Sequence, residues 1–393
     1  MTRATTRVLI APDKFKGSLT AADVCAAVSR GLHRHGAVSV TSCPVADGGD
    51  GTIAAALAAG YAEVPVTVSG PTGMPVSTLY ARRGDTAVVE LADVSGLMRL
   101  PDERLEPLTA SSRGTGEVMA AAIDAGCTQL VLGIGGSAST DGGAGLLSAL
   151  GARLLDGEGA DLADGGAALA SLVRLEVDAL TSRMQGVTLT VACDVDNSLT
   201  GPHGAAAVYG PQKGADSVDV EQLDVALGHW ADVVTELTGE DVRDAPGAGA
   251  AGGVGYAGLA LLSAELRPGI DLVFDLVGFE EHLDGVDLVI TGEGSLDEQT
   301  LNGKAPAGVA AKARSRGIPV VAVCGRTTLS PQRLHEAGIE ATYALCDLEP
   351  DLGRSMTHAA GLLEQLGEQI ARRHLTTTPS SGGTQLPSQT RVI

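Results

Sequence analysis

Aromatic side chains are almost missing from this sequence: it has one Trp, three Phe and five Tyr in 393 residues. A core without large rings must be assembled from Ala, Val, Leu and Ile, which suits helices packed closely against parallel strands. Basic residues are scarce as well, 27 Lys and Arg against 48 Asp and Glu, for a formal net charge of −21. Such a surface repels nucleic acid and anionic lipid, and no Lys/Arg-rich run offsets it. A small phosphate compound is not excluded, because a few local cations and convergent backbone N–H groups suffice to bind one. The six cysteines never form a CxxC pair, and most sit in apolar runs, where Cys acts as a small buried hydrophobe. His33 and His35 lie too close together for a zinc-binding HExxH arrangement. Long apolar runs are lacking too. The N-terminal run is too short for the core of a signal peptide, and the uncharged stretch 245–264 is broken by Pro246 and crowded with Gly. That stretch predicts a buried helix preceded by a glycine loop, and the whole chain is expected to be soluble and cytoplasmic, with no membrane partner.

Two nucleotide signatures are also absent or hollow. Gly303-Lys304 lacks the upstream Gly of a P-loop and is followed by Ala. "GAGAAG" at 247–252 matches GxGxxG, but "RDAP" rather than a strand precedes it.

What is present is rhythm. The length predicts two domains, and 53 glycines without a period predict many tight turns. "RVLIAP", a polar loop and a helical stretch from Thr20 to His33 open the chain, with Ser18 or Thr20 as the helix cap. "SVTSCPV" and the helix "TIAAALAAG" follow. Three strand-like runs between about 62 and 92 read as an antiparallel meander. From Gly285 the βα alternation returns in "DLVITGEGS", "PVVAVCG" and "ATYALCD". The five strands of the first and last parts form one parallel sheet in this reading, and the middle forms a second, inserted α/β domain. The expected limits are 1–66 plus 285–375 for the discontinuous domain and 67–284 for the insertion. Residues 376–393 are expected to be a disordered tail.

The polar residues cluster directly after apolar strands, where open α/β sheets place their ligands. Asp13, Lys14, Lys16 and Ser18 lie between a strand and a helix, a plausible seat for a carboxylate or phosphate. Asp47 and Asp50 flank a glycine pair, as caps or as Mg²⁺ ligands. In "LGIGGSASTDGGAGLL" the glycines Gly135 and Gly136 let N–H groups converge, Ser137, Ser139 and Thr140 add hydroxyls, and Asp141 adds a carboxylate. Asp194, Asp196 and Asn197 follow another strand, with Lys213 in a later turn. Glu293, Ser295, Asp297 and Lys304 repeat the pattern near the end. An Asp at such a strand end can accept a hydroxyl proton, and a Lys can stabilise charge on a transferring phosphoryl group.

Read in order, "APDKFKGSLTA", "PVADGGDGT", "GIGGSASTDGGAGLLSALGA", "ACDVDNSLTGPHGAA", "YGPQKGA", "TGEGSLDEQTLNGKAP" and "VAVCGR" resemble the bacterial glycerate kinase family over nearly the whole chain to about residue 375. The resemblance implies a flavodoxin-like parallel-sheet domain interrupted by a second inserted α/β domain, with the active site in the interdomain cleft. It also implies ATP and Mg²⁺ as cofactors and transfer to D-glycerate, giving 2-phosphoglycerate. In this reading Asp194 is the base, Lys14 and Lys213 are the catalytic cations, and Asp47, Asp50, Asp141 and Asp297 are metal ligands. Phosphate and substrate contacts fall to Asp13, Lys16, Ser18, Gly135, Gly136, Ser137, Ser139, Asp196, Asn197, Glu293, Ser295 and Lys304. A homo-oligomer is compatible with all of this. Three rivals stay open: a glycerate 3-kinase, a Mg²⁺-dependent phosphatase on the same Asp-rich loops, and a non-catalytic carboxylate sensor.

Overall fold

The computed structural model describes residues 5–35, 37–301 and 303–375; the predicted tail lies outside them. Two strands open the chain, β1 (Thr6–Pro12) and β2 (Val38–Ser42). The middle contributes β3 (Ala62–Ser69), β4 (Pro75–Arg83), β5 (Thr86–Glu90) and β6 (Gln129–Gly133). A short ribbon follows, β7 (Arg153–Leu155) with β8 (Arg174–Glu176), and then β9 (Thr188–Ala192) and β10 (Glu265–Arg267). The chain closes with β11 (Leu288–Leu296), β12 (Val320–Thr327) and β13 (Ala341–Ala344).

β13, β12, β11, β1 and β2 form a five-stranded sheet in that order, with every pairing parallel. Counted within that sheet alone, this is the 2-1-3-4-5 order of flavodoxin-like folds, whose ligand crevice lies outside the strand C-termini at the switch point. That switch point falls between β1 and β11. Alternation along β1 feeds both faces. Val8 and Ile10 join the core under the Ala21–His33 and Ala359–His374 helices, and Leu9 and Ala11 join the core on the opposite side. Thr20 caps the first helix in a capping box with Asp23, whereas Ser18 donates its hydroxyl to the Met356 carbonyl.

The second sheet runs β10-β9-β6-β5-β4-β3. β5, β6, β9 and β10 are parallel, and β3 and β4 add the expected antiparallel meander. The expected limit at 66/67 needs correction, because β3 pairs with β4 along its whole length from Ala62 to Ser69 and belongs wholly to this sheet. The main core of this unit gathers around the fully buried Trp230, on the Ser217–Thr238 helix, whose indole N–H donates to the Gly142 carbonyl at 3.1 Å.

Two helices belong to both units. Ala55 of the Thr52–Ala58 helix and Ile270, Val273 and Phe274 of the Gly269–Val277 helix pack on the first sheet's core. Their other faces, Ile53, Ala56, Leu272 and Leu276, pack with Val88, Val131 and Ala192 of the second sheet. The expected limit at 284/285 therefore runs just beyond a helix that neither sheet owns alone. Among the described residues no helix is long and apolar enough to cross a membrane.

Small residues make the close packing possible. Where the first and last helices cross, a Cβ on Gly31 would lie 2.0 Å from the Glu364 carbonyl oxygen, and one on Gly367 would lie 2.4 Å from that of Val28. Gly367→Val should accordingly destabilise the chain by about 1–3 kcal/mol or more through overpacking. This would be read as a lowered midpoint of chemical denaturation; an unchanged midpoint would mean that the crossing is loose.

Candidate active site

The parallel strands of both sheets end at one cleft, and the segments that follow them line it. The cleft has a larger compartment of about 1110 Å³ and a smaller one of about 240 Å³. Asp47, Gly49, Gly135 and Gly136 border both, so the loop after β2 and the loop after β6 form the join.

The larger compartment receives the ends of the first sheet. Asp13, Lys14, Lys16 and Ser18 come from the loop after β1, and Glu293, Ser295, Asp297 and Lys304 from β11 and its sequel. Asp13 is buried, and its carboxyl is pushed up to about 7 by desolvation, with Asp47 and Glu293 adding repulsion that Lys14 only partly offsets. The Lys14 ammonium is already engaged: it donates to the Asp50 carbonyl and lies 3.3 Å from the Asp50 carboxylate. Burial lowers its pKa, but Asp13, Asp50 and Asp47 outweigh that and hold it above the usual lysine range. Glu293 accepts the Thr300 hydroxyl, and its carboxyl is raised mainly by burial. Asp297 caps the short Glu298–Leu301 helix, accepting from Gln299 N at 2.9 Å, and Lys304 donates to Gln299 Oε1 at 3.3 Å.

The smaller compartment is lined by Gly135, Gly136, Ser137, Asp194, Tyr209, Gln212 and Lys213, among others. Lys213 is only 2% exposed, and its ammonium donates to Ser137 Oγ at 2.8 Å and to the Ser139 carbonyl at 2.5 Å. Burial pulls its pKa down to about 7, with Asp141 opposing the shift. Asp194 accepts the Gly269 N–H at 2.9 Å and so caps the Gly269–Val277 helix. Desolvation raises its carboxyl, the Gly269 bond opposes this, and Asp47 and Asp271 add to the rise.

Four expected site residues are not brought to the cleft surface. Asp141 is fully buried and accepts from Ser112 N and Oγ, both at 2.8 Å, and from Gly143 N and Gly145 N. Its oxygens are spent on shaping the glycine loop, which leaves it no role as a metal ligand. Ser139 is buried behind that loop and offers its carbonyl to Lys213, while its hydroxyl has no partner. Asn197 uses its amide on the His203 carbonyl and the Tyr209 hydroxyl, at 2.9 and 2.6 Å, and Asp196 borders neither compartment. The chain turns away from the cleft after Val195.

Other residues were not anticipated. Glu90, the last residue of β5, is buried and accepts Gly51 N at 2.9 Å and Ile53 N at 3.1 Å, holding the start of the Thr52–Ala58 helix. Burial pushes its carboxyl up to about 7, with Asp93 adding to the rise. The only sequence signal was an acidic residue inside the apolar run "AVVELA". Arg326 and Arg99 also line the larger compartment; the first follows a predicted strand, the second lies in a turn with no chemical signature.

Among the described residues no three His, Cys, Asp or Glu side chains converge as a ready-made metal cage. The donor set fits Mg²⁺ all the same, since that ion usually takes one or two protein carboxylates and completes its shell with water and phosphate oxygens. Asp47 and Asp13, mutually repulsive beside the join, are the carboxylates suited to it.

Sheets that empty their strand ends into a shared, ligand-sized cleft define a two-unit α/β enzyme acting on small molecules. Residues 8–375 match the model of the glycerate kinase family, and the chain belongs to that family of kinases. It is 44% identical over 369 residues to a glycerate kinase of Bacillus subtilis (strain 168), covering 93% of this chain and 97% of the relative. Glycerate 2-kinase of Escherichia coli (strain K12) is 43% identical over 343 residues, covering 86% and 90%. A crystal structure assigned as glycerate kinase 2 of Salmonella typhimurium LT2 superposes with a TM-score of 0.82 at 40% identity, covering 94% of this chain and 98% of that one.

The buried lysine makes pH a direct probe. The unfolded chain holds the Lys213 proton up to about 10.5, whereas the folded chain releases it near 7. The unfolded state thus binds more protons across that window, and stability gains from this group as pH rises through it. An anion beside the amine favours the charged form, so binding inorganic phosphate in the smaller compartment at pH 8 should take up a proton. Calorimetry in buffers of different ionisation enthalpy would measure this, and Lys213→Met should abolish the uptake. Equal uptake in both proteins would assign the titration to other groups.

Proposed function

We propose that this enzyme transfers the γ-phosphoryl group of MgATP to the 2-hydroxyl of D-glycerate, giving 2-phosphoglycerate and ADP, in the cytoplasm. The observation that carries the reading is the division of the cleft into two unequal compartments that meet at Asp47, Gly135 and Gly136. The larger one suits a nucleotide in size and in cations, with Lys16, Lys304, Arg99 and Arg326 on its walls. The smaller one suits a three-carbon hydroxy acid: Lys213 and Gln212 can meet its carboxylate, and Asp194 can meet a hydroxyl.

The chemistry then follows from position. Asp194, its carboxyl raised by desolvation and held in place by Gly269 N, takes the proton of the attacking hydroxyl. That oxygen bonds to the γ-phosphorus as the bond to the β,γ-bridging oxygen breaks, and ADP leaves. N–H groups of the Gly135–Gly136 turn stand at the join, where the transferring group crosses, and can stabilise its charge without rearrangement. Asp47 and Asp13 would hold Mg²⁺, which would neutralise the phosphate oxygens. Identity to a glycerate 2-kinase supports the 2-position.

Coupled ADP release with MgATP and D-glycerate, followed by ³¹P NMR of the product, tests the reading. Turnover that requires glycerate and a 2-phosphoglycerate resonance are expected; a 3-phosphoglycerate resonance would move the transfer to the other hydroxyl. Asp194→Asn should lower kcat by about 10²–10⁴-fold, and near-normal turnover in that variant would remove Asp194 as the base.

A further inference from the structure

Large apolar side chains left in water are unremarkable when scattered, but a group of them lining one cavity marks a ligand surface. Met98 is 89% exposed, Leu352 63% and Met356 39%, and all three border the larger compartment. Leu352 and Met356 are spaced i,i+4 on the Leu352–Thr357 helix, which puts them on one face. Met98 comes from the other unit, in the Leu97–Arg99 turn that follows β5.

Both features are tied to the polar part of the same cavity. Ser18 donates its hydroxyl to the Met356 carbonyl at 2.8 Å, which fastens that helix to the loop carrying Lys14 and Lys16. The turn carrying Met98 is fastened to the glycine loop, through Leu97 N to the Gly136 carbonyl at 3.0 Å and Ala138 N to the Ser95 carbonyl at 2.9 Å. The compartment therefore offers cations and glycine N–H groups together with thioether and aliphatic surface. A ligand that uses both has a polyanionic tail and a flat apolar head.

We propose that the nucleobase of the phosphoryl donor is clamped between Leu352 and Met356 of one unit and Met98 of the other, with its phosphates running inward to the Asp47 join. The inference rests on the kinase reading and adds to it the orientation of the donor. Methionine suits the task, because its flexible, polarisable side chain adapts to a ring face and makes favourable sulfur–aromatic contacts. Since one jaw comes from each unit, a bound base bridges the cleft mouth. Tripolyphosphate, which lacks a base, has nothing to bridge it with.

The test uses the full chain and the variants Met98→Ser and Leu352→Ser, singly and together; both positions are exposed, so the fold should tolerate them. Loss of the apolar contact should weaken MgADP binding about tenfold or more in the double variant, since each 1.4 kcal/mol of lost burial is a factor of ten. Affinity for magnesium tripolyphosphate should stay within about twofold, as should KM for glycerate, while KM for ATP rises with the loss of MgADP affinity. Unchanged MgADP affinity, or equal loss of MgADP and tripolyphosphate, would overturn the clamp. Glycerate-dependent turnover with unaltered nucleotide affinity in the variants would sink the clamp and leave the kinase standing. Clamp-dependent MgADP binding without turnover would do the reverse, and a wild-type chain that binds no nucleotide would end both.

Discussion

Everything at the active site hangs on two short helices that are buried on both sides. The Thr52–Ala58 and Gly269–Val277 helices supply core to each sheet, and each N-terminus is held by a carboxylate from the second unit: Glu90 on Gly51 and Ile53, Asp194 on Gly269. Helix N-termini favour negative charge, so two acidic residues that would otherwise be costly to bury have partners there. Between the helices the backbones nearly touch. A Cβ on Gly269 would lie 2.0 Å from the Asp47 carbonyl oxygen, and one on Gly48 would lie 2.4 Å from the Gly269 Cα. Gly48 also has φ +85°, a conformation other residues adopt only with strain. Asp47 therefore has little freedom, and it is the side chain that borders both compartments.

The cleft gathers cations in an acidic chain and sets them among carboxylates that share its walls. A chain with a net charge of −21 keeps Lys14, Lys16, Lys213, Lys304, Arg99 and Arg326 around one cleft. In and behind the cleft, burial brings Asp13, Lys213 and the helix-holding Glu90 to about the same pKa, near 7. Groups poised in that range change charge when an anion or a divalent cation arrives beside them, at little energetic cost. Distant surface acids are screened by solvent salt and do not cancel this arrangement.

Much of the architecture was legible because periodicity is a local property. The apolar runs and their glycine-bounded spacing gave the five parallel strands and the meander, and narrowed the first helix cap to Ser18 or Thr20, from neighbouring residues alone. The loops that meet in the cleft were legible for a related reason: they follow strands, and strand ends converge. What each side chain faces was not. Asp141 sits in a loop as polar as any ligand loop, but its partner Ser112 lies 29 residues away and turns it inward. Lys14 reads as a free cation until Asp50, 36 residues on, is seen to hold it. Glu90 reads as a strand residue because nothing near it in sequence reveals the helix start it supports. Met98 carries no polar signal at all.

The way the chain is threaded through its two sheets has a consequence for assembly. β1 pairs with β11 in a register that matches Val8 with Leu288, a separation of 280 residues, whereas every strand of the second sheet lies between 62 and 267. During synthesis the second sheet can close on itself while β1 and β2 wait with an unpaired edge for the last hundred or so residues to emerge. The final helix, Ala359–His374, completes that wait by packing on the first, Ala21–His33. A nascent chain truncated before β11 would hold a finished second sheet and an orphaned pair of strands, so it is the late arrival of β11, rather than the formation of the larger core, that sets when this enzyme first has a cleft.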